Sequence, residues 1–213
     1  MSNKQAFTAQ TDYFSKFCRV TAFDFLGFGQ SPALKEPFSV TDYAAWTKEL
    51  LARLGVVRPH LIAHSFGVRV AVKMAAENGL AFDKMLLTGP AGIICNRGIV
   101  YHAKVRAYKL TKRIFPNYAQ RRFGSEEYKT LPPVMRQSYI KIVNEDLRKT
   151  ATRVENETLI VQGKSDLTTT RREAEIYLEH FKRGKLVLME GGHFAFAEHP
   201  LAFNLLAEEF FFL

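Results

Sequence analysis

Cysteine is scarce: two in 213 residues, Cys18 and Cys95. They stand in no metal-ligand spacing, which argues against a disulfide framework and against a cysteine-bound metal. Reduced thiols in a reducing compartment are the expectation. Long apolar runs are missing, so no transmembrane span is read. Met1 to Thr11 is polar and offers no apolar signal segment. Internal repeats and low-complexity tracts are also missing. A cytoplasmic protein that does not insert into membranes is expected. Acidic residues are outnumbered, 21 against 30 basic, for a formal charge of +9 and a pI near 9.6. A basic balance favours anionic substrates, acidic membrane surfaces or nucleic acid without choosing among them.

What the chain does have is apolar content for a sizeable core, 47% hydrophobic and 13% aromatic. The length suits one domain, or one domain with an insertion. Residues 1–12 read as a solvated arm, and Tyr13 to Phe17 as a short helix. Arg19 to Phe25 alternates and reads as a strand, running into the tight turn Asp24-Phe25-Leu26-Gly27-Phe28-Gly29-Gln30-Ser31-Pro32. Ser39 is an N-cap, and Tyr43, Trp46, Leu50, Leu51 and Leu54 recur at helical spacing until Gly55. Strands are expected at Pro59 to Ala63, Lys84 to Thr88, Thr158 to Gln162 and Lys185 to Met189. Between them fall helices from Phe66 to about Asn78, with Asn78-Gly79 as C-cap, and from about Thr169 to Phe181. Pro200 opens a final helix. Phe211, Phe212 and Leu213 either pack or fray.

Strands alternating with helices imply a mostly parallel sheet with helices on both faces, an α/β fold. The pattern breaks between Ile93 and Glu155, where helical periodicity replaces strand signals. That segment holds 14 basic and 5 acidic residues, which accounts for the whole formal charge. It reads as a helical cap, residues 93–155, inserted into a core made of residues 1–92 and 156–213.

Chemistry gathers at the C-terminal edge of such sheets. Leu61-Ile62-Ala63-His64-Ser65-Phe66-Gly67 has the strand–apex–helix context of a nucleophile elbow. The apex serine has its Oγ exposed, and the N–H of Phe66 points at the same space as an oxyanion donor. The plainer alternative is a helix-capping serine. Asp166 and His193 also follow strand ends, and Asp166 has its own plain reading as a helix cap. Serine needs a base to take its proton, histidine does so near neutral pH, and an aspartate orients the imidazole. His64 is read as structural, because adjacent residues on an elbow point apart. His60, His102, His180 and His199 lack a comparable setting.

Asp24-x-x-Gly27-x-Gly29-x-Ser31, Ala63-His64-Ser65-Phe66-Gly67, Gly163-Lys164-Ser165-Asp166 and Gly192-His193-Phe194 together resemble the α/β-hydrolase family, in its capped serine hydrolase branch. The resemblance runs from Arg19 to the C-terminus. It implies Ser65 as nucleophile, Asp166 as acid, His193 as base, Phe66 as oxyanion donor and 93–155 as the substrate-binding cap. Family members carry a further strand between those ending at Asp24 and Ala63, with a His-Gly loop that supplies a second oxyanion donor. This sequence shows neither, so the family fold is expected to be N-terminally incomplete. The resemblance thus implies hydrolysis of an ester, thioester or amide of a small-molecule substrate through an acyl-serine, with no metal or organic cofactor, impaired unless complemented. The competing reading is a catalytically inactive chain that binds a ligand or partner through the cap. Nucleic-acid binding by the basic segment lacks a recognised module. Oligomeric state is not legible.

Overall fold

A computed structural model describes residues 3–77, 81–95, 106, 128 and 130–213. Its centre is a four-stranded parallel sheet: β1 Leu61–His64, β2 Lys84–Thr88, β3 Glu157–Gly163 and β4 Gly184–Met189, in the order β1-β2-β3-β4. The register aligns Ala63 with Leu87, Leu87 with Ile160 and Ile160 with Leu186. Strands covered on both faces must be apolar on both faces. The sequence meets this: Met85, Leu87 and Ile160 enter one core, while Leu86, Leu159 and Val161 enter the other.

The first core is covered by α2 Val40–Arg53, α3 Phe66–Glu77, α4 Pro133–Val143, α5 Arg148–Ala151 and α6 Arg171–His180. The second lies under α1 Thr8–Phe14, α7 Ala195–Glu198 and α8 Pro200–Phe212. Helices on both faces of a parallel sheet make this an α/β fold. Arg69 of α3 is buried and donates to the carbonyls of Ile142 and Glu145, which ties α3 to the end of α4. Among the described residues no helix is long and apolar enough to cross a membrane.

α2 starts where the sequence predicts. Ser39 Oγ accepts the Asp42 N–H at 3.3 Å, and Asp42 Oδ2 accepts the Ser39 N–H at 2.7 Å, a reciprocal capping box. Ser39→Ala is expected to cost about 1 kcal/mol of stability. Urea unfolding checks this, with the midpoint moving and the slope unchanged.

Two expectations need correction. Residues 3–12 are not a solvated arm. Lys4–Phe7 forms a 3-10 turn, α1 follows directly, and the helix begins at Thr8 rather than Tyr13. Phe7 stacks on Phe196 at 4.5 Å. Gln10 is buried, and its Nε2 donates to the Phe196 carbonyl and to Asn204 Oδ1. Polar residues are held here by partners from the other end of the chain. Secondly, Arg19 to Phe25 forms no strand. A ladder needs a neighbour, and among the described residues the segment has none. Its alternation instead serves side-chain packing: Phe23 and Phe25 meet the Trp46 ring at 5.9 and 6.3 Å. The outer edge of β1 is likewise unpaired among the described residues. At the C-terminus Phe211 packs into the core, while Phe212 and Leu213 are exposed. The expected Asn78-Gly79 cap and most of the 93–155 segment lie outside the described residues.

Candidate active site

Each candidate side chain leaves the sheet at a strand end. β1 ends at His64, and Ser65 takes φ 50° before α3 begins. A left-handed serine is uncommon and marks a forced turn. The turn is held because the Ser65 N–H donates to the Thr88 carbonyl at 3.1 Å and the Ser65 carbonyl accepts from the Val68 N–H. A β-carbon at Gly67 would lie 3.7 Å from the Ala63 β-carbon, so small residues at 63 and 67 set how closely helix and strand approach. Phe66 is the first residue of α3, and helix geometry leaves its N–H without an intrahelical acceptor.

β3 ends at Gly163, and the following turn is bonded to the end of β4. The Lys164 N–H donates to the Met189 carbonyl, and the Ser165 N–H to that of Gly191. This cross-link brings Asp166 beside His193. His193 Nδ1 lies 2.8 Å from Asp166 Oδ2, and His193 Nε2 lies 3.1 Å from Ser65 Oγ. A carboxylate only accepts, so Nδ1 carries the proton and the Nε2 lone pair faces the serine.

Asp166 is enclosed. Its Oδ1 accepts from the Thr168 and Thr169 N–H groups at 2.8 and 3.0 Å. Its Oδ2 accepts from Thr169 Oγ1 at 2.8 Å and Gln162 Nε2 at 3.2 Å. Burial by itself would raise its pKa. The bonds from His193, Thr169 and Thr168 outweigh that and hold the carboxylate below its ordinary value. Gln162 and Thr169 were not evident as site residues from the sequence. Their signals were a polar residue inside an apolar strand and a threonine three positions after the aspartate.

Asp24, in the glycine-rich turn, has a different task. Burial pushes its pKa up, but the backbone N–H groups of Gln30 and Lys4 bring it below the ordinary value. It staples the turn, which lays Phe28 flat against Phe66 at 5.4 Å.

His64 departs from expectation. It does not point away from the site: its ring meets the His193 ring at 4.5 Å between centroids. Burial, and then the charge that His193 can carry, depress its pKa to about 4. An unfolded histidine protonates near 6.5. Between those values the unfolded chain binds the extra proton, so stability falls as pH drops from about 6.5 to about 4, by roughly 3 kcal/mol at full span. Asp166 adds a further loss below its unfolded pKa. His64→Phe is expected to flatten the upper part of this dependence, as read by denaturant unfolding at each pH.

His60 stacks on Phe211, and His180 Nδ1 contacts the Ile176 carbonyl. His102 lies outside the described residues. Among the described residues no three metal-ligating side chains gather.

Comparison with known proteins agrees with this architecture. A family profile described as "Alpha/beta hydrolase family" matches residues 5–204. Monoglyceride lipase of Rattus norvegicus is 31% identical over 113 residues, which are 50% of this chain and 36% of that protein. An uncharacterized protein of Mycobacterium bovis is 33% identical over 82 residues, which are 38% of this chain and 24% of that protein. These curated relatives are therefore matched over about a third of their length or less. A hydrolase structure from Pseudomonas aeruginosa superposes with a TM-score of 0.78 at 20% identity, over 100% of this chain and 86% of that one. An esterase structure from Exiguobacterium antarcticum gives 0.77 at 21% identity, over 98% and 87%.

Proposed function

Because the chain belongs to the alpha/beta hydrolase family, we propose that it hydrolyses an ester, thioester or amide of a small molecule through an acyl-serine intermediate. The observation that carries this is the hydrogen-bonded line Asp166–His193–Ser65, drawn from three separate strand ends at 2.8 and 3.1 Å.

The chemistry follows from the geometry. Ser65 Oγ attacks the carbonyl carbon while its proton passes to His193 Nε2. Asp166 holds the imidazole by Nδ1 and stabilises its cationic form. The Phe66 N–H donates to the developing oxyanion. The Nε2 proton then goes to the leaving group as its bond to the carbonyl breaks. A water next gives a proton to Nε2 and attacks the acyl carbon. Collapse of that second intermediate returns the proton to Ser65 and frees the acid.

Residues 93–155 serve in this reading as the substrate-binding cap. Their described helices α4 and α5 share the core that holds α3: Met135, Ile142 and Ala151 pack in one cluster with Val68.

The second reading is an inactive chain that binds a ligand. It draws on the oxyanion side of the site. These 213 residues contain no His-Gly pair, the family's usual source of a second donor. Loss of one donor costs about 10²–10³ in rate. Incubating the purified chain with a fluorophosphonate decides between the two by intact mass. Oγ attack on phosphorus with loss of fluoride gives one adduct under the first reading, and a folded chain that stays unmodified supports the second.

A further inference from the structure

We propose that His64 is a positioning residue for His193: its ring is the wall that keeps the His193 imidazole on the line between Asp166 and Ser65. The proposal rests on the acyl-serine reading for its consequence in rate, and on packing and hydrogen bonds for its existence.

The His193 ring is held at its two nitrogens, Nδ1 by Asp166 with Thr169 Oγ1 at 3.3 Å and Nε2 by Ser65, but contacts at the nitrogens alone leave rotation about the line joining them. That rotation is stopped by what lies against the ring faces. His64 approaches at 4.5 Å with an interplanar angle of 54°. Gly89 closes in nearby: a β-carbon there would sit 3.1 Å from His193 Cε1 and Nδ1, and 3.2 Å from His64 Cε1. The two imidazoles thus share one tight space beside the Gly89 backbone, and neither turns without moving the other.

The wall is itself pinned. His64 Nδ1 lies 3.1 Å from the Thr88 carbonyl, which only accepts, so Nδ1 carries the proton. The same carbonyl accepts the Ser65 N–H at 3.1 Å. One oxygen at the end of β2 therefore fixes both the backbone of Ser65 and the ring that backs His193. Phe194 and Phe196 complete the seat of His64 at 4.8 and 4.9 Å.

Plain core filling does not account for this residue. With Nδ1 protonated, His64 Nε2 is a bare acceptor, and among the described residues it is buried without a partner. An orphan acceptor is costly, and phenylalanine would fill the same aromatic seat without it. What histidine supplies and phenylalanine does not is the bond to Thr88, which sets the rotation of the ring.

His64→Phe keeps the bulk and loses the pin. His64→Asn keeps a donor near the Nδ1 position and loses the bulk. His64→Ala loses both. Two readouts separate positioning from stability. The first is the fluorophosphonate reaction of folded protein, resolved into reagent affinity and maximal rate. The second is the proton NMR signal of the His193 Nδ1–H bound to Asp166, which needs no turnover. For His64→Ala we expect the maximal rate to fall about 10²-fold, as a displacement near 1 Å does, with affinity unchanged and the proton signal broadened or lost. His64→Phe and His64→Asn fall between alanine and wild type. Folded alanine and phenylalanine variants that keep the wild-type rate and the wild-type signal overturn the proposal while the acyl-serine reading stands. A wild-type chain that never reacts, with a signal that still disappears in His64→Ala, overturns the acyl-serine reading while the positioning role stands.

Discussion

Ser65→Ala is expected to abolish fluorophosphonate adduct formation and to lower hydrolysis of any responsive ester by roughly 10⁴-fold or more, on the scale seen when one member of such a triad is removed. The reason is local. Among the described residues Ser65 Oγ makes one hydrogen bond, with His193 Nε2 at 3.1 Å, while the bonds that hold the turn are made by the backbone. Alanine keeps those bonds and the same left-handed φ. Stability should therefore stay within about 0.5 kcal/mol of wild type. Thermal unfolding beside intact-mass labelling checks both halves. A serine adduct that persists in the variant places the reactive hydroxyl elsewhere and ends the acyl-serine reading. A variant that loses both label and fold shows that the hydroxyl had a structural duty that its contacts do not display.

The second large effect concerns Gly163, the last residue of β3. A β-carbon there would lie 2.1 Å from the Gly192 carbonyl oxygen, 2.8 Å from that of Gly191 and 3.0 Å from the Gly192 carbonyl carbon. All three are backbone atoms, so no side chain can rotate away. The turn from Glu190 to His193 has to shift by more than 1 Å to restore an ordinary contact. His193 moves with it, away from an Asp166 that is held separately by Thr168 and Thr169. Gly163→Ala is expected to lose about 1–3 kcal/mol of stability to overpacking, and about 10²-fold in rate to misplacement. Denaturant unfolding and labelling kinetics on the folded fraction read the two losses apart. A variant with wild-type kinetics would mean that the turn relaxes without carrying His193.

How far the sequence could be read depended on whether a residue's partners lay nearby. The four strands were legible because helices cover both faces of the sheet, which leaves short apolar runs between turn signals. α2 was legible because Ser39 and Asp42 cap it from three residues apart. Ser65, Asp166 and His193 stood out because each residue type followed a strand end, and the structure brings the three together. Gln10 was opaque: its hydrogen-bond partners lie 186 and 194 residues away. Arg19 to Phe25 misled for a different reason. An alternating pattern looks the same whether its apolar side faces a sheet core or the rings of Phe66, Tyr43 and Trp46. His64 misled because a rule about adjacent side chains ignored the turn between them. At φ 50° Ser65 reverses the chain direction, and both side chains end beside His193.

That backbone angle also restricts which alphabet of nucleophiles the position can draw on. Threonine carries the same hydroxyl, but its branched β-carbon opposes a left-handed backbone, where unbranched side chains are tolerated better. Cysteine is admissible on shape; threonine is not, whatever its chemistry. Glycine would relieve the turn and remove the hydroxyl in one step. On backbone grounds alone, residue 65 therefore exchanges more easily for glycine, which relaxes the turn, than for threonine, which keeps the hydroxyl.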